Sequence, residues 1–216
     1  MVPLNTALHC DTSVLHERDV AGVLVERAEA LTAVLSLLAA NSQHIERAAS
    51  IIIEALASGH IVLVCGNGGS AAEAQHFAGE LVGRFRRERE PWPVLALTAD
   101  TAVLTAVAND YGYDTIFERQ VAAFGHHGDV LVAFSTSGES RNVINAANLA
   151  RNRDMSVIAL TGREPTQLGR ISDVVIAVPA IQTALVQEVH SVLVHLISDI
   201  VEGGLVDQHI RKDMNR

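Results

Sequence analysis

The stretch Ile61–Ser70, with the sequence IVLVCGNGGS, constrains the fold more than any other part of the chain. Its first five residues are apolar without interruption, which is typical of a strand buried on both faces of a parallel sheet. A glycine-rich turn follows, and the next residues, AAEAQHFAGELVGRF, are predicted to form a helix. Ser70 and Glu73 have the spacing of a capping box, so we expect Ser70 to cap that helix. The order strand, turn, helix predicts an α/β fold.

The turn Gly66–Ser70 has the features of an anion-binding site. Backbone N–H groups at a helix N-terminus, together with the positive end of the helix dipole, favour a bound phosphate. Asn67, Gly68, Gly69 and Ser70 are therefore candidate substrate-binding residues. The glycine spacing is neither GxGxxG nor GxxxxGK[ST], which argues against a dinucleotide or a P-loop nucleotide. The alternative is a tight strand-to-helix connection that binds no ligand.

Beyond this stretch, apolar runs of strand length alternate with helical segments. The predicted strands are Val94–Leu97, Asp129–Phe134, Ser156–Leu160 and Val174–Val178, and the predicted helices are Thr101–Asn109, Ile116–Phe124, Ser140–Arg151 and Ile181–Gly203. The last helix is predicted to end at Gly203 and Gly204. This alternation indicates a parallel, doubly wound sheet covered on both faces, with ligands beyond the carboxyl ends of its strands. Asp100 follows the second strand and is therefore a candidate substrate contact.

Two amphipathic helices precede the first strand. Apolar spacing predicts one helix from about Ser13 to Leu38 and a second over roughly Ser42–Ser58, ended by Gly59. Both cannot lie on a small sheet without leaving apolar surface exposed, so part of that surface is predicted to form an oligomer interface. We expect an irregular N-terminus over residues 1–12, a single domain over 13–206 and a loose polar tail over 207–216.

A second polar turn, Ser135–Ser140 with the sequence STSGES, follows the strand DVLVAF. Hydroxyl groups and backbone N–H groups that converge at a helix N-terminus again suit a phosphate. Ser135, Thr136, Ser137 and Ser140 are therefore candidate substrate ligands. The alternative is ordinary helix capping, which needs only one of these hydroxyls.

His76 and Glu80 lie four residues apart on the helix after the first turn and therefore share a face. The pair suits a zinc ion or acid–base chemistry, and equally a solvated helix surface. The final helix carries Gln187, His190 and His195 among apolar residues. Gln187 and His195 are about 80° apart around that helix and about 12 Å apart along it, so both reach one ion only by leaning together or through a helix distortion. The alternative is that they are polar core residues with satisfied hydrogen bonds.

Composition limits the classes of protein to which the chain can belong. The 216 residues carry a formal net charge of −9, which argues against a surface that wraps nucleic acid. No run of eighteen apolar residues and no signal-peptide pattern occurs, so neither a membrane span nor export is predicted. Cys10 and Cys65 do not indicate a disulfide framework. We therefore expect a cytoplasmic protein with no direct contact to nucleic acid or membrane.

Several motifs, in order along the chain, resemble the phosphoheptose isomerase family of sugar isomerase (SIS) domain enzymes. The similar segments are GNGGSAAEAQHFAGELVGRF, TADTAVLTAVANDYGYDTIF, GDVLVAFSTSGESRNVI, VIALTG and VQEVHSVLVH, within residues 15–203. The resemblance implies a three-layer α/β/α fold with a five-stranded, parallel, flavodoxin-like sheet, preceded by two helices. It also implies a homotetramer with active sites between the subunits.

The resemblance further implies a ligand set and a reaction. One zinc ion per subunit is implied at His76, Glu80, Gln187 and His195. The implied substrate contacts are Asn67, Gly68, Gly69, Ser70, Glu80, Asp100, Ser135, Thr136, Ser137, Ser140 and Gln187. The implied reaction converts sedoheptulose 7-phosphate to D-glycero-D-manno-heptose 7-phosphate, a precursor of nucleotide-activated heptose, through an enediolate. Glu80 would be the base, His195 the acid and zinc the Lewis acid.

The chain departs from the family pattern at one position, and two other functions compete. Family members carry arginine two residues before the glutamine of the QE motif, where this chain has Leu185, so a substrate or intersubunit contact differs. The competing functions are binding of the bacterial replication initiator, as in a related SIS protein, and sugar-phosphate sensing without catalysis. That initiator-binding relative lacks counterparts of Glu80 and the final-helix histidine. Both are present here, which favours the enzyme.

Overall fold

The computed structural model describes the backbone of residues 19–214 and the side chains of residues 19–207. The helices are α1 (Val20–Ala39), α2 (Gln43–Ala57), α3 (Gly69–Val82), α4 (Thr101–Tyr111), α5 (Glu118–Phe124), α6 (Arg141–Asn152), α7 (Gln167–Arg170) and α8 (Thr183–Met214). The strands are β1 (Val62–Gly66), β2 (Val94–Ala96), β3 (Val130–Ser135), β4 (Ser156–Thr161) and β5 (Val174–Ala177). A short 3₁₀ helix, Tyr113–Thr115, follows α4.

The five strands form one parallel sheet in the order β2-β1-β3-β4-β5. The register of β1 on β3 runs from Val62 opposite Val130 to Gly66 opposite Phe134. From β1 the chain crosses to one side of the sheet, and from β3 it continues to the other side. The carboxyl ends of β1 and β3 therefore border the topological switch point, where ligands bind in sheets of this kind. The predicted parallel, flavodoxin-like sheet is confirmed.

Helices cover both faces of the sheet. On one face α2, α3, α8 and the end of α1 pack against strand residues such as Val62 and Val132. On the other face α5 and α6 pack against residues such as Leu63 and Leu131. Because successive strand residues point to opposite faces, a strand covered on both sides must be apolar throughout. All five residues of β1 are buried, which explains its uninterrupted apolar run and confirms the three layers.

The predicted end of the last helix is wrong. α8 continues through Gly203 and Gly204 to Met214, so the backbone from Asp207 to Met214 is helical and not a loose tail. A Cβ added at Gly204 would lie 2.6 Å from Cδ1 of Ile53. This glycine therefore allows α2 and α8 to approach closely and does not end the helix.

The N-terminal predictions are tested in part. Residues 1–12 and the predicted helix start at Ser13 lie outside the described residues, and Asp19 precedes the first helical residue, Val20. Toward the other end of α1, Val34 and Leu38 are buried in the core. Near its start, Val20 and Leu24 are 67% and 65% exposed. The apolar stripe of α1 thus extends beyond the surface that the chain itself covers.

The segment Thr183–Asp207 of α8 is long and apolar enough to cross a membrane, judged by length and composition alone. Half of its most apolar window is buried inside the molecule. Since α8 packs against α2, α3 and the end of α1, burial in the core accounts for this apolar composition.

Candidate active site

The two polar turns predicted to bind phosphate lie side by side, because they follow the paired strands β1 and β3. A reciprocal amide pair joins them. Nδ2 of Asn67 donates to Oδ1 of Asn142, and Nδ2 of Asn142 donates to Oδ1 of Asn67, both at 2.8 Å. The hydroxyl of Tyr113 also donates to Oδ1 of Asn67 at 2.8 Å. Asn142 and Tyr113 were not predicted from the sequence, and they hold the two turns in one crevice.

The first turn is built without a side-chain cap. α3 begins at Gly69, with Gly68 at the N-cap position and a φ of 57°, a conformation that favours glycine. Ser70 is already inside the helix and is buried, so its predicted capping role is wrong. No side chain in the described part of the chain caps α3. The positive φ of Gly68 turns the chain two residues earlier than the capping box predicts, and the end of the helix dipole faces the crevice.

The second turn is held by its own hydroxyls. Oγ of Ser135 lies 3.1 Å from Oγ of Ser140 and accepts a hydrogen bond from the backbone N–H of Gly138 at 3.1 Å. Oγ of Ser137 accepts from the N–H of Glu139 at 3.2 Å. Ser140 occupies the N-cap position of α6, but its side chain does not cap that helix. Its hydroxyl therefore points into the turn, as a phosphate ligand should.

Gly138 and Asp100 both have structural roles in the loops that follow β3 and β2. Gly138 has a φ of 66°, and a Cβ there would lie 2.4 Å from Cβ of Thr166, so only glycine fits. Oδ1 of Asp100 accepts from the backbone N–H of Val103 at 3.0 Å, which makes Asp100 the N-cap of α4. Asp100 therefore has a structural role at the predicted position, at the end of β2.

Three of the predicted metal ligands converge. Nε2 of His76 lies 3.1 Å from Nε2 of His195 and 3.3 Å from Oε1 of Glu80. Ligand atoms held tetrahedrally at about 2.0–2.1 Å from one zinc ion are about 3.3 Å apart. Among the described residues, these three are the one group of His, Cys, Asp and Glu side chains able to hold a metal ion. The donor set therefore fits zinc.

Glu73 supports this group in a way that the sequence analysis missed. Its Oε2 lies 3.4 Å from Nδ1 of His76, the ring nitrogen that faces away from His195. A metal-binding histidine usually donates its second N–H to such a carboxylate, which fixes the tautomer and orientation of the ring. The signal was the spacing of three residues between Glu73 and His76, but the capping-box interpretation had paired Glu73 with Ser70 instead.

Gln187, the fourth predicted metal ligand, is placed by its contact with Gly69. A Cβ added at Gly69 would be 2.5 Å from Nε2 of Gln187, so this amide packs against the first turn. Since Gln187 adjoins Gly69 and His195 adjoins His76, α3 and α8 run side by side in the same direction. Gln187 is therefore about two helical turns from His195 and borders the predicted phosphate site.

His190 is a core residue, as one of the two interpretations of the final helix expected. It is fully buried, and its Nε2 lies 3.2 Å from the carbonyl oxygen of Thr161. Burial lowers the pKa of His190 to about 4, although the hydrogen bond with Thr161 opposes that shift. His190 is therefore neutral at physiological pH. Its burial contrasts with the exposed position of His195.

The chain is similar to known proteins in both sequence and structure. Residues 27–162 match the family model of the SIS domain. The phosphoheptose isomerase of Alteromonas mediterranea is 49% identical over 166 residues, which cover 76% of this chain and 84% of that protein. The one from Bordetella avium is 50% identical over 168 residues, covering 76% and 85%. The structure of the phosphoheptose isomerase from Neisseria gonorrhoeae gives a TM-score of 0.79 at 43% identity and covers 88% of this chain and 99% of that one.

The strand order, the polar turns at the switch point and the matched family model define the class, a protein built on the SIS domain. Because the high identity extends over most of each relative's length, the chain belongs to the phosphoheptose isomerase family. The resemblance drawn from the sequence motifs is thereby confirmed.

Proposed function

We propose that this protein is an aldose–ketose isomerase that converts sedoheptulose 7-phosphate to D-glycero-D-manno-heptose 7-phosphate for the synthesis of nucleotide-activated heptose. The observation that carries the proposal is the cluster of His76, Glu80 and His195 beside two phosphate-type turns. Proton transfer between neighbouring carbons of a sugar phosphate needs a base, an acid and a place for the phosphate. The similarity to phosphoheptose isomerases supplies the particular substrate.

The distance between the turns and the cluster suits a seven-carbon sugar phosphate. Seven residues of α3 separate Gly69 from His76, which corresponds to about 10 Å along the helix axis. An extended chain of seven carbons, with bonds of about 1.5 Å, spans about 8 Å. A phosphate at the first turn therefore leaves C1 and C2 within reach of the side chains of the cluster.

The roles of the side chains follow from the chemistry. The carboxylate of Glu80 removes a proton from C1 of the ketose and returns it to C2. The imidazole of His195 donates a proton to O2 and accepts the proton of O1, which completes the transfer through the enediolate. His76, Glu80 and His195 would hold a zinc ion, with Gln187 as the fourth ligand that the family resemblance implies, and the ion would supply Lewis-acid stabilisation of the negative charge on oxygen. Glu73 keeps the ring of His76 oriented.

The second turn and the first turn hold the phosphate in this proposal. The backbone of Gly68 and Gly69 faces the anion, and Asn67 is fixed by its amide partner. The remaining proposed contacts are Ser70, Asp100, Ser135, Thr136, Ser137, Ser140 and Gln187. Two helix N-termini meet at this place, and both favour negative charge.

The assembly and the location belong to the same proposal. We infer a cytoplasmic homotetramer with active sites at the subunit interfaces. The exposed stripe at the start of α1 supports an interface, and the partly exposed cluster leaves room for groups from another subunit. Leu185, at the family's arginine position, is buried in this chain, so the substrate or subunit contact that the arginine would make is absent here.

The decisive experiment is turnover of sedoheptulose 7-phosphate by the wild type and by Glu80→Gln. Glutamine keeps the size of the side chain and one oxygen for the metal but cannot accept the proton. Because acid–base groups contribute about 10²–10⁴-fold in rate, we expect turnover to fall at least about 10²-fold while substrate binding changes little. Formation of the aldose measures turnover, and the ligand-induced shift in melting temperature measures binding.

Zinc content and a control variant make the result specific. Elemental analysis should find about one zinc per wild-type chain, and His76→Ala should lose most of it, because its ring lies closest to both other ligands. Glu54→Gln, on the exposed side of α2, should keep wild-type turnover. Normal turnover by Glu80→Gln would remove Glu80 as the base. A wild type inert towards every heptose and pentose phosphate would favour initiator binding instead.

A further inference from the structure

Glu202 is a buried carboxylate that the proposed mechanism does not use. It lies in α8 about two helical turns after His195 and is 1% exposed. Its carboxylate accepts hydrogen bonds from the backbone N–H groups of Phe85 at 3.1 Å, Arg86 at 2.8 Å and Arg87 at 2.9 Å. A buried carboxylate needs hydrogen-bond donors and an opposite charge. Three main-chain donors of one loop, residues 83–90, meet the first need.

Arg89, in the same loop, meets the second need. Its Nε donates to Glu202 at 3.2 Å, and the two side chains are 6% and 2% exposed. Its terminal nitrogens donate to the backbone carbonyls of Glu80, Leu81, Gly83 and Glu90 at 2.9 to 3.2 Å. Carbonyls at the end of a helix have no partner within the helix. Arg89 therefore caps the end of α3, the helix that carries His76 and Glu80.

The electrostatics make Glu202 and Arg89 depend on each other. Burial raises the pKa of Glu202, but the backbone N–H groups of the loop and the charge of Arg89 outweigh burial and hold it below its usual value. Burial lowers the pKa of Arg89, and Glu202 opposes that shift. Removing either partner leaves a buried charge without its counterion, which is far more costly than losing an exposed ion pair.

The loop reaches the candidate active site through Phe85. Residues 83–90 form no helix or strand, so their position depends on these hydrogen bonds. The ring of Phe85 lies 5.7 Å from the ring of His195. The guanidinium of Arg86 lies over the Phe85 ring, 5.1 Å from its centre. The ring of His76 contacts His195 edge-on at 4.8 Å. His195 is therefore held between Phe85 and His76.

We propose that Glu202 and Arg89 are positioning residues for the isomerase site, acting through the loop that carries Phe85. Through this loop they fix the ring of His195, and through the cap on α3 they fix the backbone of Glu80. The inference rests on the proposed function for its effect on the reaction. The orientation of His195 itself is independent of any substrate.

The test compares Glu202→Gln and Arg89→Lys with the wild type, well below their melting temperatures. Glutamine keeps the shape of Glu202 without its charge, and lysine keeps the charge of Arg89 without its fork of donors. We expect kcat per folded molecule to fall about tenfold or more with KM changed less than about threefold, since displacing a reacting group slows the reaction more than it weakens binding. In metal-free protein, the NMR signals of the His195 ring should shift in both variants. Loss of these signals in His195→Gln assigns them.

Two further variants separate positioning from stability. Asp207→Asn breaks an exposed ion pair with Arg87 that joins the same loop to the same helix, at 3.0 Å. It should leave kcat and the His195 signals unchanged. Phe85→Leu keeps the loop hydrogen bonds but removes the ring, so it should shift the His195 signals and lower kcat even if the Glu202 variant does not fold. Combined with Glu202→Gln, its effect on kcat should be less than additive.

The outcomes distinguish this inference from the proposed function. A lower melting temperature with unchanged kcat and unchanged His195 signals in Glu202→Gln and Phe85→Leu overturns positioning and leaves a structural role. An equal loss of kcat in Asp207→Asn also overturns it. If the wild type lacks isomerase activity, the proposed function fails, and the His195 signals alone then decide whether Glu202 fixes that ring.

Discussion

At the scale of single residues, similar side chains have opposite environments in this protein. His190 and His195 lie five residues apart in α8, but His190 is fully buried and contacts the ring of Phe134 at 5.6 Å. Its Nδ1 has no hydrogen-bond partner among the described residues. A buried imidazole without a second partner resists protonation, so stability should depend on pH at His190.

The sign of this dependence follows from the lowered pKa of about 4 for His190 in the folded protein. Below about pH 6.5, His190 binds a proton in the unfolded chain but not in the folded protein, so the free energy of unfolding decreases as the pH falls toward 4. His190→Gln, which retains a donor for Thr161, should remove this loss. Between pH 7 and pH 5 we expect the wild type to lose about 2 kcal/mol more unfolding free energy than the variant.

Urea unfolding of metal-free protein at both pH values, with the protein concentration kept the same, measures this difference. His127→Gln is the matched control, because the side chain of His127 is 83% exposed. It should keep the pH dependence of the wild type. An identical pH dependence in wild type and His190→Gln would show that His190 binds a proton as readily in the folded protein as in the unfolded chain, and so would contradict the lowered pKa.

At the scale of elements, two helix N-termini meet at the carboxyl ends of β1 and β3, and both approach the crevice without a side-chain cap in the described structure. The hydroxyl of Ser140 lies in this crevice beside Ser135. Uncapped helix ends that meet in this way should attract one phosphate more strongly than either end alone.

Ser140→Asp tests this element-scale prediction. Its carboxylate would place a negative charge at the end of α6, where the phosphate is expected. Heptose 7-phosphates should raise the melting temperature of the wild type, and free sugars should not. The variant should lose the shift, because the aspartate both repels the phosphate and occupies its place. Asn148→Asp adds the same charge farther along α6 and should keep the shift. A full shift in Ser140→Asp would place the phosphate elsewhere.

The sequence predicts the helices and strands better than it predicts which residues contact one another. Uninterrupted apolar runs identify the buried strands, because a strand covered on both faces has no polar side. Glycine is ambiguous: Gly59 ends α2 as expected, whereas Gly204 serves close packing against Ile53 inside α8. The capping-box pattern at Ser70 failed because Gly68 turns the chain earlier. Local patterns do not reveal which of these uses applies.

The candidate site shows the same limit. The spacing of His76 and Glu80 is visible on one helix, but His195 comes from 119 residues away, and only the family motifs connected it to them. Asn142 joins Asn67 across 75 residues, and no spacing rule links them. Contacts between distant segments depend on the sheet order, which periodicity does not determine.

At the scale of the whole molecule, α1 indicates an assembly. A helix packed on its own domain should become less apolar where it leaves the core. Instead the stripe that buries Val34 and Leu38 continues through Leu24 and Val20, which are exposed. Val23 is 52% exposed beside them. An apolar surface of this kind on a protein of this size usually marks an interface, and a second copy of the chain would offer the same stripe.

Leu24→Glu tests this assembly. Light scattering of the wild type should give the mass of about four chains, and the variant should give smaller species, because an interface must then bury an unpaired carboxylate. Glu29→Lys changes the charge on the opposite side of α1 and should keep the wild-type mass. The isomerase activity should fall together with the mass in Leu24→Glu if active sites are shared between subunits. Leu24 lies in α1, whereas the cluster lies on α3 and α8, so a monomer with full activity would show that each chain carries a complete site. A wild type that is itself monomeric at micromolar concentration would remove the interface at α1.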